Sequence, residues 1–71
     1  MTIFNMANAR RWMLDNANFY RDSAGLIDST GLAEGYAQEC DSEGWLDDEV
    51  HPVWDVAAEV GIAIEKREGR G

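Results

Sequence analysis

Carboxylates dominate the stretch from Glu39 to Glu59, the part of the chain whose residue types could do chemistry. This stretch, ECDSEGWLDDEVHPVWDVAAE, holds eight acidic side chains and two tryptophans, and it contains neither lysine nor arginine. Crowded carboxylates can bind a cation, act as an acid–base pair, or present a negative field to a partner. The eight acids are Glu39, Asp41, Glu43, Asp47, Asp48, Glu49, Asp55 and Glu59.

Cation binding is the first chemistry that the acidic stretch suggests. A calcium-binding EF-hand loop needs oxygen ligands at positions 1, 3 and 5, glycine at 6 and glutamate at 12. A loop that starts at Asp41 would place Trp45 at position 5 and Leu46 at position 6, so the motif fails. The sequence predicts no metal and no cofactor. One alternative is a weak cation site, without a recognised ligand spacing, made from Asp47, Glu49 and His51.

Catalysis would need a nucleophile or a proton carrier, and the chain has one histidine and one cysteine. His51 stands directly before Pro52, which favours a turn residue or a helix cap over a general base. Cys40 falls on the apolar face of a predicted helix, where cysteine usually behaves as a small core residue. Carboxylates without a substrate-binding motif do not define an acid–base pair. The sequence therefore predicts a protein that is not an enzyme.

The distribution of charge is more informative than the net charge of −8. From Asp22 to Glu65 there are twelve acids and no lysine or arginine, whereas residues 1–21 and 66–71 each carry a net charge of +2. A surface adapted only for solubility usually mixes the two signs, because crowded like charges destabilise a fold. The segregation indicates that the negative field is used. Such a field repels nucleic acid and anionic membranes and attracts basic protein surfaces.

The spacing of the acids fits a basic groove that normally holds nucleic acid. One helical turn from Asp55 to Glu59 advances about 6 Å, and two phosphate steps along one DNA strand advance roughly 7 Å. The loop over Asp47–Glu49 would supply a second row of charges. Trp45 has two alternative roles: it anchors the acidic loop to the body of the protein, or it is an exposed contact for a partner, a role in which tryptophan is favoured.

The first of three predicted helices spans about residues 5–21. Asn5 is its expected N-cap, with Phe4 and Ala9 as a hydrophobic staple. Its inward face recurs at helical spacing and consists of Met6, Ala9, Trp12, Met13, Asn16, Ala17 and Tyr20.

The second helix lies in GLAEGYAQEC, after a cap from Asp28, Ser29 or Thr30. Leu26 and Ile27, in the connection before it, are expected to turn inward. Gly31 and Gly35 should each weaken this helix by roughly 1 kcal/mol relative to alanine. Its inward face consists of Leu32, Ala33, Tyr36, Ala37 and Cys40.

The third helix is predicted over about residues 52–66, since Pro52 suits the first helical position. Gly61 on its inward side would allow another helix to approach closely, while Ile62 is an apolar residue on the charged outward side. Residues 66–71 are expected to form a frayed tail. The alternative for residues 61–65 is a short strand, because GIAIE also alternates. The inward face consists of Val53, Val56, Ala57, Val60 and Ile64.

Length and composition indicate one small, mainly α-helical domain over residues 1–71, with a long acidic loop before the last helix. A domain of this size can depend on a partner or a second copy for stability, so a monomer and a homodimer both stay open. A lone cysteine excludes a disulfide-rich secreted scaffold and fits the reducing cytoplasm. The apolar runs are too short to span a membrane.

Very short length, strong acidity, one cysteine and the lack of a catalytic motif resemble the small phage-encoded inhibitors of bacterial defence, especially anti-CRISPR proteins. Several members of that class are DNA mimics, which occupy the DNA-recognition surface of a CRISPR effector. The resemblance lies in composition over the whole chain and transfers no residue role. It implies a CRISPR–Cas effector complex as partner, bound through the lysines and arginines that read the PAM or line the DNA channel.

The sequence therefore predicts a non-enzymatic inhibitor in the cytoplasm of a bacterial host, acting by charge mimicry on a nucleic-acid-binding groove. Its predicted contact set is the eight acids of the Glu39–Glu59 stretch together with Trp45. The alternative is a general protein-interaction module or regulator that binds through Trp45 and Trp54.

Overall fold

A computed structural model describes residues 3–69 as a bundle of three α-helices. Within these residues the mainly α fold is confirmed, and residues 61–65 are helical, so the alternative of a strand there was wrong. An isolated bridge between Arg21 and Ile27 is the β pairing found in the described chain. The helices are α1 (Met6–Asn16), α2 (Ser29–Glu39) and α3 (Pro52–Arg67), with 3₁₀ turns over Ala17–Phe19 and Glu43–Asp47.

Helices α1 and α3 run in the same direction, and α2 runs against them. The starts of α1 and α3 are adjacent, because the rings of Phe4 and His51 have centroids 5.1 Å apart. Their ends are also adjacent, since Arg21 binds the carboxylate of Glu68 at 2.9 Å. Tyr36, in the last turns of α2, lies 6.4 Å from Phe4. The end of α2 therefore meets the starts of the other two helices at one end of the bundle.

The core lies where the three helices face one another, and it confirms the predicted inward faces of α2 and α3. In α1 the prediction is confirmed for Ala9, Met13 and Ala17, which are buried. It was wrong for Met6, which is 49% exposed because it lies in the first turn, at the edge of the bundle. Ile27, in the connection before α2, also joins the core, with 7% of its surface exposed. Burying one such aliphatic side chain contributes about 1.5–3 kcal/mol. The largest fully buried side chains are Met13, Leu32, Val53, Val56 and Val60.

Each helix begins at a side-chain cap. Asn5 and Asp28 accept hydrogen bonds from the backbone N–H three residues further on, at 3.0 and 3.1 Å. His51 caps α3 through Nδ1, which accepts the N–H two residues further on at 3.1 Å. These caps satisfy N–H groups that have no partner inside a helix. The predicted cap at Asn5 and the cap role of His51 are confirmed, and Asp28 is the member of its predicted trio that caps α2.

Helix α1 is shorter than predicted, since it ends at Asn16 rather than near residue 21. The side-chain amide of Asn16 donates to the carbonyl oxygen of Trp12 at 2.7 Å, and such local bonds compete with helix continuation. The 3₁₀ turn that follows directs Tyr20 toward α2. At the other end of the chain, α3 includes Lys66 and Arg67, the first two residues of the predicted frayed tail. The rest of that tail includes residues 70 and 71, which lie outside the described part.

Two glycines allow close packing rather than merely weakening their helices. A Cβ at Gly35 would lie 2.8 Å from Cζ of Tyr20. A Cβ at Gly61 would lie 2.9 Å from Oγ of Ser29, the first residue of α2. Both distances are below ordinary van der Waals contact. The close approach predicted at Gly61 is thus confirmed, and Gly35 serves a similar purpose for Tyr20.

Candidate interaction surface

Seven of the eight predicted acids meet at one end of the bundle, where α2 ends and α3 begins. Each of the seven residues is exposed. They come from the last residue of α2, the connection that contains the 3₁₀ turn, and the first turn of α3. We call this surface the acidic end, and it consists of Glu39, Asp41, Glu43, Asp47, Asp48, Glu49 and Asp55.

The acidic end has no counter-charge within the described chain. The salt bridges found over residues 3–69 join Arg10 to Glu59 at 2.7 Å and Arg21 to Glu68 at 2.9 Å. Neither involves a residue of the acidic end. Its negative field is therefore not compensated locally, as the segregation of charge in the sequence predicted.

Glu59 differs from the other seven acids. It lies two turns into α3, and its carboxylate accepts a hydrogen bond from Nη2 of Arg10. Both side chains remain largely exposed, at 63% for Glu59 and 47% for Arg10, so the pair contributes at most about 1 kcal/mol. Of the two acids predicted to form a row on α3, Asp55 presents an uncompensated charge and Glu59 is paired.

Asp41 adopts a left-handed backbone conformation directly after α2, with φ of 52°. Its N–H donates to the carbonyl of Gln38 at 3.1 Å, and the N–H of Ser42 donates to that of Ala37 at 2.8 Å. This pair of bonds is the Schellman motif, whose left-handed position is usually glycine. An L-residue there costs roughly 1–2 kcal/mol. The chain thus carries a carboxylate where glycine would fold with less strain.

Asp48 shapes the acidic end as well as adding charge to it. Its Oδ1 accepts the N–H of Val50 at 3.1 Å, and its carbonyl accepts the N–H of His51 at 3.0 Å. These local bonds turn the chain into the start of α3. Replacing Asp48 would therefore alter both the charge and the turn, whereas Glu43 and Asp47 are exposed acids outside these bonds.

Trp45 holds the acidic connection onto the bundle. Its indole stacks between Tyr36 and His51, with centroid distances of 6.0 and 5.0 Å. The ring of Phe4 meets it edge-on at 5.5 Å. These contacts support the anchoring role among its two predicted roles. Because Trp45 stays half-buried, part of its surface lies beside the carboxylates.

The base of the acidic end is apolar and contains Tyr36 and Cys40. Tyr36 is 6% exposed. Burial, together with a hydrogen bond and a charge interaction with the Cys40 thiol, raises the pKa of its phenol to about 12. Cys40 is half-buried against the core, as its position on the apolar face predicted.

Other candidate chemistry has little support in residues 3–69. Within that range, no three His, Cys, Asp or Glu side chains are grouped so that they could hold a metal ion. No helix of the same part combines the length and apolar character needed to cross a bilayer. Trp54 is half-buried in α3, and its indole N–H is buried without a hydrogen-bond partner in the described chain.

Comparison of the chain with protein-family models, with curated proteins and with solved structures gave no match. Fold and surface together define a small three-helix domain with one anionic end.

Proposed function

We propose that the protein is a non-enzymatic inhibitor, which presents an acidic, DNA-mimicking surface to the nucleic-acid-binding groove of a defence complex such as a CRISPR–Cas effector. The acidic end carries this proposal, because seven exposed carboxylates meet there without a salt-bridge partner in residues 3–69. A groove that binds DNA offers lysines and arginines that neutralise phosphates. The same cations bind carboxylates through charge-assisted hydrogen bonds. Binding of the inhibitor then blocks binding of target DNA in the bacterial cytoplasm.

The acidic end is built on ordered elements, which suits a mimic. Glu39 ends α2, Asp55 lies in the first turn of α3, and Trp45 packs the connection between them onto the aromatic rings. Carboxylates held in this way lose less conformational entropy on binding than those of a disordered acidic tail. Asp41 also supports a functional role for the charge of the acidic end. Its left-handed backbone conformation costs stability that glycine would not lose, yet the chain has a carboxylate there.

A competition experiment tests the mimicry. A purified CRISPR–Cas effector is incubated with fluorescent target DNA, and the protein is titrated in while DNA anisotropy is recorded. We expect displacement of DNA, which weakens as salt is raised because exposed charges are screened. A ternary complex that contains both DNA and the protein would exclude mimicry.

Two double variants localise the activity. Glu43→Lys with Asp47→Lys changes the charge at the acidic end without removing the Asp48 turn, and it should abolish displacement. Asp15→Lys with Glu34→Lys makes the same change in net charge at exposed positions on α1 and α2, and it should leave displacement largely intact. Equal losses in both variants would show that only the overall charge matters. Far-UV circular dichroism checks that both variants are folded.

The partner itself can be sought in a pull-down from bacterial lysate at low and high salt, with mass spectrometry of the eluate. The proposal expects a nucleic-acid-binding protein that is released at high salt. Retention at high salt, together with loss of binding on Trp→Ala substitution at Trp45 or Trp54, would instead favour the interaction module that binds through tryptophan.

A further inference from the structure

The outward face of α3 carries an exposed apolar residue that neither the core nor the acidic end uses. Ile62 is 65% exposed. It lies at the middle of a stripe at helical spacing, formed by Asp55, Glu59, Ile62 and Lys66. The acids of this stripe come first and the base last, so the charges are separated on either side of the isoleucine.

A groove between α1 and α3 lies directly beside this stripe. Its volume is about 240 Å³, and its apolar wall consists of Leu14, Val60 and Ala63. Leu14 remains 41% exposed there. The rim of the groove carries charges of both signs, from Arg10, Glu59 and Arg67.

We propose that a second copy of this chain binds this face, with the two α3 helices antiparallel. A two-fold axis between Ile62 and Ala63 places Glu59 of each copy opposite Lys66 of the other, because each lies about 5 Å along the helix from the axis. Ile62 of each copy then packs against Ile62 of the other, because this two-fold axis keeps each side of one α3 opposite the same side of its copy. A parallel arrangement would set like charges opposite one another, so charge order selects the antiparallel one.

Charge also explains why the occupant is a second copy. Each chain carries −8, so two copies repel across most of their surfaces. On this face Asp55 and Glu59 are accompanied by Arg10, Lys66 and Arg67, so the local charge is not negative. The order of Glu59 and Lys66 along α3 is complementary to itself under the two-fold axis. The domain is small, and burial of Ile62 adds apolar contact that a single copy lacks.

The dimer has a consequence for the acidic end, although it does not rest on the proposed function. Antiparallel α3 helices point their first turns in opposite directions, so the two acidic ends face away from each other. Glu59 then belongs to the contact between copies, while Glu39 to Glu49 remain free for another partner.

Sedimentation equilibrium over a dilution series tests the proposal, with a wild-type mass expected at twice the chain mass of 7.9 kDa. Ile62→Glu should raise the dimer Kd at least about tenfold. Val50→Glu is the matched control, since Val50 is 84% exposed near the acidic end, and it should leave the Kd unchanged. A monomeric wild type at every concentration would overturn the proposal, as would a dimer that Ile62→Glu does not weaken.

A charge swap tests the antiparallel order. Lys66→Glu alone should weaken the dimer by placing two glutamates together. Because Glu59 also pairs with Arg10 within each copy, the swap that should restore the dimer adds both Glu59→Lys and Arg10→Glu. Failure of this triple variant to recover would overturn this arrangement even if the chain dimerises by another face. None of these variants replaces a residue of the acidic end, so loss of the dimer and loss of DNA displacement can be told apart.

Discussion

The imidazole of His51 lies nearly parallel to the indole of Trp45, with ring centroids 5.0 Å apart and 16° between their planes. The same imidazole caps α3 through Nδ1. One side chain therefore joins the acidic connection to the start of α3. This link fixes the carboxylates before His51 relative to Asp55 after it.

Substitution of His51 should separate these two roles. His51→Ala removes the cap and the stacking, and we expect a loss of about 1–2 kcal/mol in the free energy of unfolding. His51→Asn keeps a side chain that can cap but loses the ring, so it should lose less. Urea denaturation followed by tryptophan fluorescence measures both. Equal stability of all three proteins would contradict the assigned cap.

Asp41→Gly should stabilise the fold by about 1 kcal/mol, because glycine adopts the left-handed conformation without a steric cost. Asp41→Ala removes the same charge but keeps a Cβ, so it should show no such gain. Thermal unfolding compares the two variants. If both were stabilised equally, charge repulsion rather than backbone strain would be the cause.

Stability should fall in strongly alkaline solution because of Tyr36. Its pKa is raised to about 12 in the folded protein, whereas the pKa of an unfolded tyrosine is about 10. The folded state therefore holds the proton more tightly, and its advantage is complete below about pH 10 and is lost as pH rises through about 12. Between these values Tyr36 alone should lower the free energy of unfolding by about 1.4 kcal/mol per pH unit. Tyr36→Phe should remove this part of the slope in urea denaturation series, and an unchanged slope would contradict it.

Gly35→Ala should destabilise the protein, although alanine favours a helix by about 1 kcal/mol over glycine. The added methyl group would meet the ring of Tyr20, so the steric cost exceeds the gain in propensity. In a Tyr20→Ala background the same substitution should cost less or become stabilising. A double-mutant cycle measures the coupling, and strictly additive effects would show that Tyr20 does not limit this position.

Local patterns predicted most of the secondary structure. The apolar spacing of α3 predicted its buried residues, and Pro52 marked its first turn. Asn5 was recognised as a cap because its side chain needs only the N–H groups of the following turn. The early end of α1 was not predicted, since the apolar spacing continues to Tyr20. Helix α1 ends at Asn16, and the turn that follows lets Tyr20 pack against Gly31 and Gly35 of α2. This contact between distant parts of the chain cannot be read from local spacing.

The candidate site was predicted in part. The block of acids without a base is visible in the sequence, but the pairing of Glu59 with Arg10 is not, because the two residues are 49 positions apart. Trp45 could be assigned to two roles until the rings of Phe4, Tyr36 and His51 were found around it.

The sequence by itself determined three helices, their inward faces and a long segment of uncompensated negative charge, because helical periodicity and charge blocks are local properties of the chain. Tertiary structure alone decided that α2 opposes α1 and α3, and so brought the end of one helix and the start of another together. That arrangement places Glu39 and Asp55 on one end and Glu59 beside Arg10. The reason is physical: the direction of a helix and the partner of a charge depend on which apolar faces pack together.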